Sequence, residues 1–183
     1  MARILLVTGG CRSGKSAYAQ ELAESFPPTR LYVATSPVTD AEMKRRIELH
    51  RRAREGRGWE TVEEQIDLTN VFHRHKGHGV LLVDCVTLWI NNLLFEAERE
   101  LRPITEVQIG ERCEDVLGAA QLCHGTVIFV TNEVGLGVVP ENALARRYRD
   151  LVGRANQILA ARADAVTLVC CGIPLQLKEK RSL

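Results

Sequence analysis

No stretch of this 183-residue chain approaches the ~20 consecutive apolar residues that a membrane-spanning helix needs. Nor is there an excess of charge of either sign. The 24 Lys and Arg against 23 Asp and Glu leave a net charge of +1, so no global field draws the chain to nucleic acid or to an anionic membrane. C-x-x-C pairs are absent. The six cysteines, Cys11, Cys85, Cys113, Cys123, Cys170 and Cys171, mostly sit in or beside apolar runs, where a free thiol behaves as a small hydrophobe. Adjacent Cys170 and Cys171 on one strand would point to opposite faces, so no bond is expected between them. Before the first glycines there is one Arg and then "ILLV", too short for a signal-peptide core. Reduced thiols and a cytoplasmic location are expected. With no repeat, low-complexity tract or linker, residues 1–183 read as one domain.

What is there alternates between two periods. "RILLVTG" (3–9), "LYVAT" (31–35), "GVLLVDC" (79–85), "TVIFVTN" (126–132) and "AVTLVCC" (165–171) are short apolar runs suited to buried parallel strands, the last of them closing the sheet. Helical patterns fill the intervals. One runs from Gly14 to Ser25, one follows Asp40 through "AEMKRRIELHRRARE" to Gly56 and Gly58, and one covers "LWINNLLFEAERE". Two more occupy 105–123 and the stretch from Pro140 to about Ala163, and "KEKRSL" reads as a solvated tail. Strands alternating with helices predict an α/β fold, a mainly parallel sheet with helices on both faces.

Between the first strand and the first helix lies "GGCRSGKS". Gly9, Gly14, Lys15 and Ser16 satisfy G-x-x-x-x-G-K-[ST] in the strand–loop–helix setting that this pattern requires. The chemistry explains the residue types. Glycines let successive N–H groups point at a phosphate, and the helix N-terminus adds a favourable dipole. Lys15 neutralises β- and γ-phosphate oxygens, and the Ser16 hydroxyl suits Mg²⁺. Asp84, ending "VLLVD", can supply a carboxylate to the same metal at the C-terminal edge of the sheet, or else cap the following helix.

A regulatory GTPase reads guanine with N-K-x-D, but here the corresponding strand ends "TNEVG", with Glu133 where the lysine would stand. Cations concentrate in 44–57, where Lys44, Arg45, Arg46, Arg51, Arg52, Arg54 and Arg57 face only Glu48 and Glu55. Such a run is either a solvated helical face or a set of cations around a polyphosphate. His50 shares an i, i+4, i+7 stripe with Met43 and Ile47, which suits a core histidine. A neutral imidazole beside a nucleotide could instead attack phosphorus. The other cluster, "HRHKGH", contains His73, His75 and His78. His-x-His invites a metal reading, but no acidic or thiol ligand lies nearby in sequence, and the expectation is that these three bind none.

"VTGGCRSGKS", "LYVATS", "RIELHRR", "WETVE", "LLVDCVTLWINNLL", "TNEVGLGVVPENALARRYRDLVGRANQILA" and "GIPLQLK" occur in order along nearly the whole chain. Together they resemble the adenosylcobinamide kinase/adenosylcobinamide-phosphate guanylyltransferase family of cobalamin assembly. The long "TNEVG…GRANQ" block is far more specific than the phosphate loop.

The resemblance implies a P-loop NTPase-like fold and two reactions. A nucleoside triphosphate phosphorylates the terminal hydroxyl of adenosylcobinamide, and GTP then donates GMP to that phosphate, releasing pyrophosphate. The loop would serve GTP, with ATP accepted in the kinase step and Mg²⁺ as cofactor. His50 matches the histidine that carries GMP, with Lys15 beside the phosphates. The stretches that match nucleotide-contacting positions are Gly9, Gly10, Cys11, Arg12, Ser13, Gly14, Lys15 and Ser16, then Thr35, Ser36, Arg54, Arg57, Glu63 and Asp84. Ser16 and Asp84 would hold the metal. The family also implies a homo-oligomer, a trimer with sites near subunit interfaces, acting on adenosylcobinamide and its phosphate. One stretch departs from the pattern: "RRAREGRG" lacks the proline common in relatives, so the pairing of Arg54 and Arg57 with family positions stays open.

Overall fold

The computed structural model describes residues 1–37, 45, 48 and 51–179. Among the described residues, seven strands, β1 (Arg3–Gly9), β2 (Arg30–Ala34), β3 (Trp59–Glu63), β4 (Val80–Asp84), β5 (Thr126–Val130), β6 (Ala165–Cys170) and β7 (Ile173–Glu179), form one sheet in the order β3-β2-β4-β5-β1-β6-β7. The first six are parallel, and β7 returns antiparallel to β6. Helices α1 (Lys15–Glu24), α2 (Leu68–His75), α3 (Val86–Arg99), α4 (Glu106–Gln121) and α5 (Ala143–Arg162) accompany them.

Side chains alternate across each strand, and the two faces bury different partners. Ile4 and Leu6 of β1 join Leu81, Val83, Val127 and Phe129 under residues of α2, α3, α4 and α5. Leu5 and Val7 join Leu82, Ile128 and Val130 under Ala19 and Ala23 of α1. The near-continuous apolar strands predicted this arrangement, because a sheet covered on both faces has no polar side.

Two strands went unread in the sequence. β3 carries Glu60 and Glu63 on a largely exposed edge beside β2, so no apolar run announces it. β7 lies at the other edge, is almost wholly exposed and contains Pro174, a residue tolerated in edge strands. "AVTLVCC" is therefore not the last strand. Nor is all of "KEKRSL" a free tail, since the Lys178 ammonium donates to the carbonyls of Ala160 and Ala161, both at 2.8 Å.

Local chemistry moves other boundaries. α5 starts at Ala143 rather than at Pro140, because the Asn142 side chain accepts from the Ala145 amide at 3.0 Å and caps the helix there. Thr105 and Gln108 form a reciprocal capping box at the start of α4. Asp67 caps α2, which the sequence did not reveal, by accepting from the Asn70 amide at 3.1 Å. Cys171 leaves the strand at φ 52°, so the thiols of Cys170 and Cys171 lie 3.9 Å apart instead of on opposite faces. Most of the helix expected over "AEMKRRIELHRRARE" lies outside the described residues; its last turn, 51–54, is helical, and Gly56 and Gly58 follow at φ 71° and 72°.

Candidate active site

Gly9 ends β1 where the backbone must pass unusually close to its neighbours. A Cβ there would meet the Val169 carbonyl oxygen at 2.4 Å and the Ser13 hydroxyl at 2.6 Å, so only glycine fits without displacement. Gly14 sits at φ 92° and turns the chain into α1, with Gly172 of the β6–β7 turn packed against it. That turn also fastens the loop, since the Gly172 amide donates to the Ser13 carbonyl at 2.8 Å. Lys15, only 9% exposed, lies folded over the loop with its ammonium 3.0 Å from the Gly10 carbonyl oxygen.

The strand ends on either side complete the hollow. Its volume is about 290 Å³, and Cys11, Arg12, Lys15 and Ser16 line it from the loop. Ser36 after β2, Glu63 from β3, Asp84 from β4 and Arg54 line it from the far side. All of these residues follow or end parallel strands, apart from Arg54, so the pocket occupies the C-terminal edge where parallel α/β sheets place ligands. A second, more open hollow of about 410 Å³ shares Arg51, Arg54, Thr61 and Glu63 and reaches Trp59.

Arg54 is the unusual member. Its guanidinium lies 3.5 Å over the Tyr32 ring and the residue is 4% exposed, yet Nε and Nη1 have no hydrogen-bond partner among the described residues. Burial pulls its pKa below the ordinary value, against the opposing pull of Tyr32 and Asp84. The Tyr32 hydroxyl in turn donates to Asp84 Oδ2 at 3.0 Å. Burial first, then the charge of Asp84, push the tyrosine pKa well above its usual range, so the phenol remains a donor. A buried cation with idle N–H groups, a phosphate loop and an oriented carboxylate thus share one pocket.

Not every nominated residue reaches it. Thr35 is fully buried and structural: its hydroxyl donates to the Cys85 carbonyl and accepts from the Cys85 amide, both at 2.8 Å, tying β2 to β4. The Arg57 guanidinium pairs with Glu24 of α1 at 3.0 Å and does not line the pocket. Gly9, Gly10, Ser13 and Gly14 shape the loop from behind the lining. His50 lies outside the described residues, although its covalent neighbour Arg51 lines the pocket and pairs with Glu63.

Other lining residues escaped the sequence reading: Tyr32, Thr61, Thr87, Leu88, Asn132 and Tyr148. Asn132 donates to the Thr87 hydroxyl at 2.6 Å, and Tyr148 donates to the Thr87 carbonyl at 3.1 Å. Behind them, Thr131 donates to Asn156 Oδ1 at 2.7 Å, and the Asn156 amide donates to the Asn132 carbonyl at 3.0 Å. The "TNE" and "GRANQ" segments of the long motif therefore meet in space, joined by a buried polar network. The only signal for it was the polar Thr and Asn directly after an apolar strand.

Sheet order, phosphate loop and pocket define a P-loop nucleotide-binding α/β protein. The comparisons with known proteins narrow that class. The family model described as cobinamide kinase / cobinamide phosphate guanyltransferase matches residues 5–177, and the chain belongs to that family. It is 42% identical over 182 residues to the bifunctional adenosylcobalamin biosynthesis protein CobU of Escherichia coli, covering 96% of this chain and 99% of the relative. To the protein of the same name from Salmonella typhimurium it is 41% identical with the same coverage. To the bifunctional adenosylcobalamin biosynthesis protein CobP of Pseudomonas aeruginosa it is 41% identical over 174 residues, 94% of this chain and 96% of that one.

Proposed function

We propose that this chain carries out both reactions of its family: phosphorylation of adenosylcobinamide by a nucleoside triphosphate, then transfer of GMP from GTP to the resulting phosphate. The observation that carries this reading is the idle, buried Arg54 guanidinium in the same pocket as Lys15, Ser16 and Asp84. Idle N–H groups on a buried cation are a stability cost unless an anion completes them, and a polyphosphate offers the matching acceptor geometry.

In this reading the chain works as one domain. The loop amides, Lys15 and Arg54 bind and neutralise the phosphates, and Gly9, Gly10, Cys11, Arg12, Ser13 and Gly14 set the curvature of the cradle. The Ser16 hydroxyl and the Asp84 carboxylate are hard oxygen donors that suit Mg²⁺, which would supply further charge neutralisation on the phosphate oxygens. Tyr32 holds Asp84 in orientation through one carboxylate oxygen. In the kinase step the terminal hydroxyl of adenosylcobinamide attacks the γ-phosphorus of ATP or GTP, and nucleoside diphosphate leaves.

The second step needs a nucleophile at the α-phosphorus, and His50 is assigned that role. Its ring nitrogen forms a P–N bond as the α–β phosphoanhydride breaks and pyrophosphate departs. A phosphate oxygen of adenosylcobinamide phosphate then attacks the same phosphorus, and the P–N bond breaks to return the free imidazole. A homotrimer in the cytoplasm, as in the family resemblance, completes the proposal. The exposed apolar side chains of Ile173, Leu175 and Leu177 on edge strand β7 are compatible with subunit contact.

Incubation with α-labelled GTP tests the reading. The chain should acquire acid-labile, alkali-stable label, and His50→Ala should abolish it while kinase turnover persists. Retained label on a folded His50→Ala protein would remove His50 from the mechanism.

A further inference from the structure

The expectation that the histidine cluster binds no metal rested on the lack of an acidic ligand close in sequence. The fold supplies one. Edge strand β3 brings Glu60 against the end of α2 and the turn that leads into β4, and one ligand atom each from Glu60, His75 and His78 falls within 4.8 Å of the others. His73 is exposed and does not take part. Glu60 lies near the start of β3, and His75 and His78 just precede β4, at the opposite end of the strands from the phosphate loop, so this cluster is separate from the nucleotide pocket.

We propose that Glu60, His75 and His78 form a binding site for a divalent transition-metal cation of the zinc class, which clamps edge strand β3 to the α2–β4 turn. Three observations support it. First, the His78 imidazole is oriented. Nδ1 of His78 lies 3.1 Å from the His75 carbonyl oxygen, which can only accept, so Nδ1 carries the hydrogen and Nε2 is directed at the carboxylate. A backbone carbonyl on the remote ring nitrogen is how metal-binding histidines are commonly fixed.

Second, the charges call for a cation. Nε2 of His78 is 3.1 Å from Glu60 Oε2, and His75 Nδ1 is 3.9 Å from Glu60 Oε1. A nitrogen lone pair facing a carboxylate requires positive charge between them, either a proton or a metal ion. Ligand atoms around tetrahedral zinc at about 2.0–2.1 Å are roughly 3.4 Å apart, a spacing that lies between these distances to the two oxygens of the Glu60 carboxylate. Two nitrogen ligands with one carboxylate leave a fourth position for water and suit zinc far better than Mg²⁺.

Third, the turn bearing His78 is held in place. The His124 amide donates to the Lys76 carbonyl at 3.0 Å, and the Val80 amide donates to the Thr29 carbonyl at 3.0 Å. Both imidazoles are mostly covered, with side chains 19% and 17% exposed, whereas Glu60 is 55% exposed and faces solvent as the closing ligand. Such a clamp would steady the strand that carries Thr61 and Glu63 into the pocket.

The test uses the untagged full chain, stripped with EDTA, returned to chelator-free buffer and titrated with zinc chloride against a chromogenic chelator. Glu60→Gln, a His75→Ala/His78→Ala double variant and a Cys170→Ser/Cys171→Ser control are titrated beside it. The expected result is one zinc per chain in the wild type and the cysteine control. Glu60→Gln should bind about tenfold or more weakly, and the double variant should lose stoichiometric binding. At free zinc one hundred times Kd, wild-type Tm should rise by roughly 5–10 °C. Cobalt(II) in place of zinc should give the spectrum of a low-coordinate nitrogen–oxygen site without a thiolate band. If the double variant does not fold, Glu60→Gln and the cobalt spectrum decide. Absence of stoichiometric zinc on the wild type would overturn the proposal. So would full binding by the folded double variant or by Glu60→Gln, loss in the cysteine control, or a thiolate band.

Discussion

Replacing Arg54 by methionine separates what the pocket needs from what the fold needs. The residue is 4% exposed and its guanidinium stacks 3.5 Å over Tyr32, while Nε and Nη1 have no acceptor among the described residues. Two buried N–H groups without partners cost about 2 kcal/mol apiece. Losing the contact with the aromatic face removes about 2 kcal/mol in the other direction. Methionine keeps much of the stem volume, so Arg54→Met should be more stable by about 2 kcal/mol, a rise in Tm of roughly 4–8 °C for a chain of this size. Activity should move the opposite way. Two charge-assisted hydrogen bonds to phosphate, at about 1.5–3 kcal/mol each, correspond to a loss of roughly 10²–10⁴ in kcat/KM. The assay is thermal unfolding without nucleotide, together with both half-reactions on the same preparation. Turnover within threefold of wild type in both reactions would show that Arg54 contacts no phosphate. A fall in Tm of several degrees would show that the guanidinium is a structural element, and the reasoning from its idle donors would fail.

Lys15→Ala should depress both half-reactions by about 10² or more, because each draws on the same cation beside the phosphates; equal turnover at saturating nucleotide in either one would exclude a shared site. Gly9→Ala forces a Cβ to within 2.4 Å of the Val169 carbonyl, whereas Gly10→Ala meets nothing within 4 Å. The first should lose about 1–3 kcal/mol in denaturant unfolding and the second about 0.5 kcal/mol or less. Native-state alkylation should modify Cys11, Cys170 and Cys171 and spare Cys85, Cys113 and Cys123, as peptide mapping would reveal. Burial raises the thiol pKa of Cys85 and Cys123 from 9.0 to about 11 and that of Cys113 to about 12. Their contribution to stability is therefore complete below pH 9 and falls as the pH climbs through 9 towards 11–12, a decline that Cys113→Ala should soften in pH-dependent unfolding curves.

Much of this is legible in the sequence. Five of the parallel strands announced themselves because a strand covered on both faces must be apolar throughout, and β1, β2, β4, β5 and β6 are. The phosphate loop was equally legible, since curvature, cation and hydroxyl each demand one residue type at one position. Edge strands obey a weaker rule. β3 and β7 have one side open to water or to no neighbour, so "WETVE" and "IPLQLKE" carry no period strong enough to mark them.

The sequence by itself determined the fold class, the loop and the family, because each is encoded in local pattern or in a contiguous motif. The tertiary structure alone decided which distant residues share a site. Arg54, Tyr32 and Asp84 meet because β2 and β4 are neighbours and the chain before β3 folds over their ends. Arg57, three residues beyond Arg54, is turned to Glu24 instead. The same holds for Glu60 beside His75 and His78, ligands supplied by different elements. Such pairings depend on strand order and register, quantities that are set by packing over the whole sheet and leave no trace in any local stretch of residues.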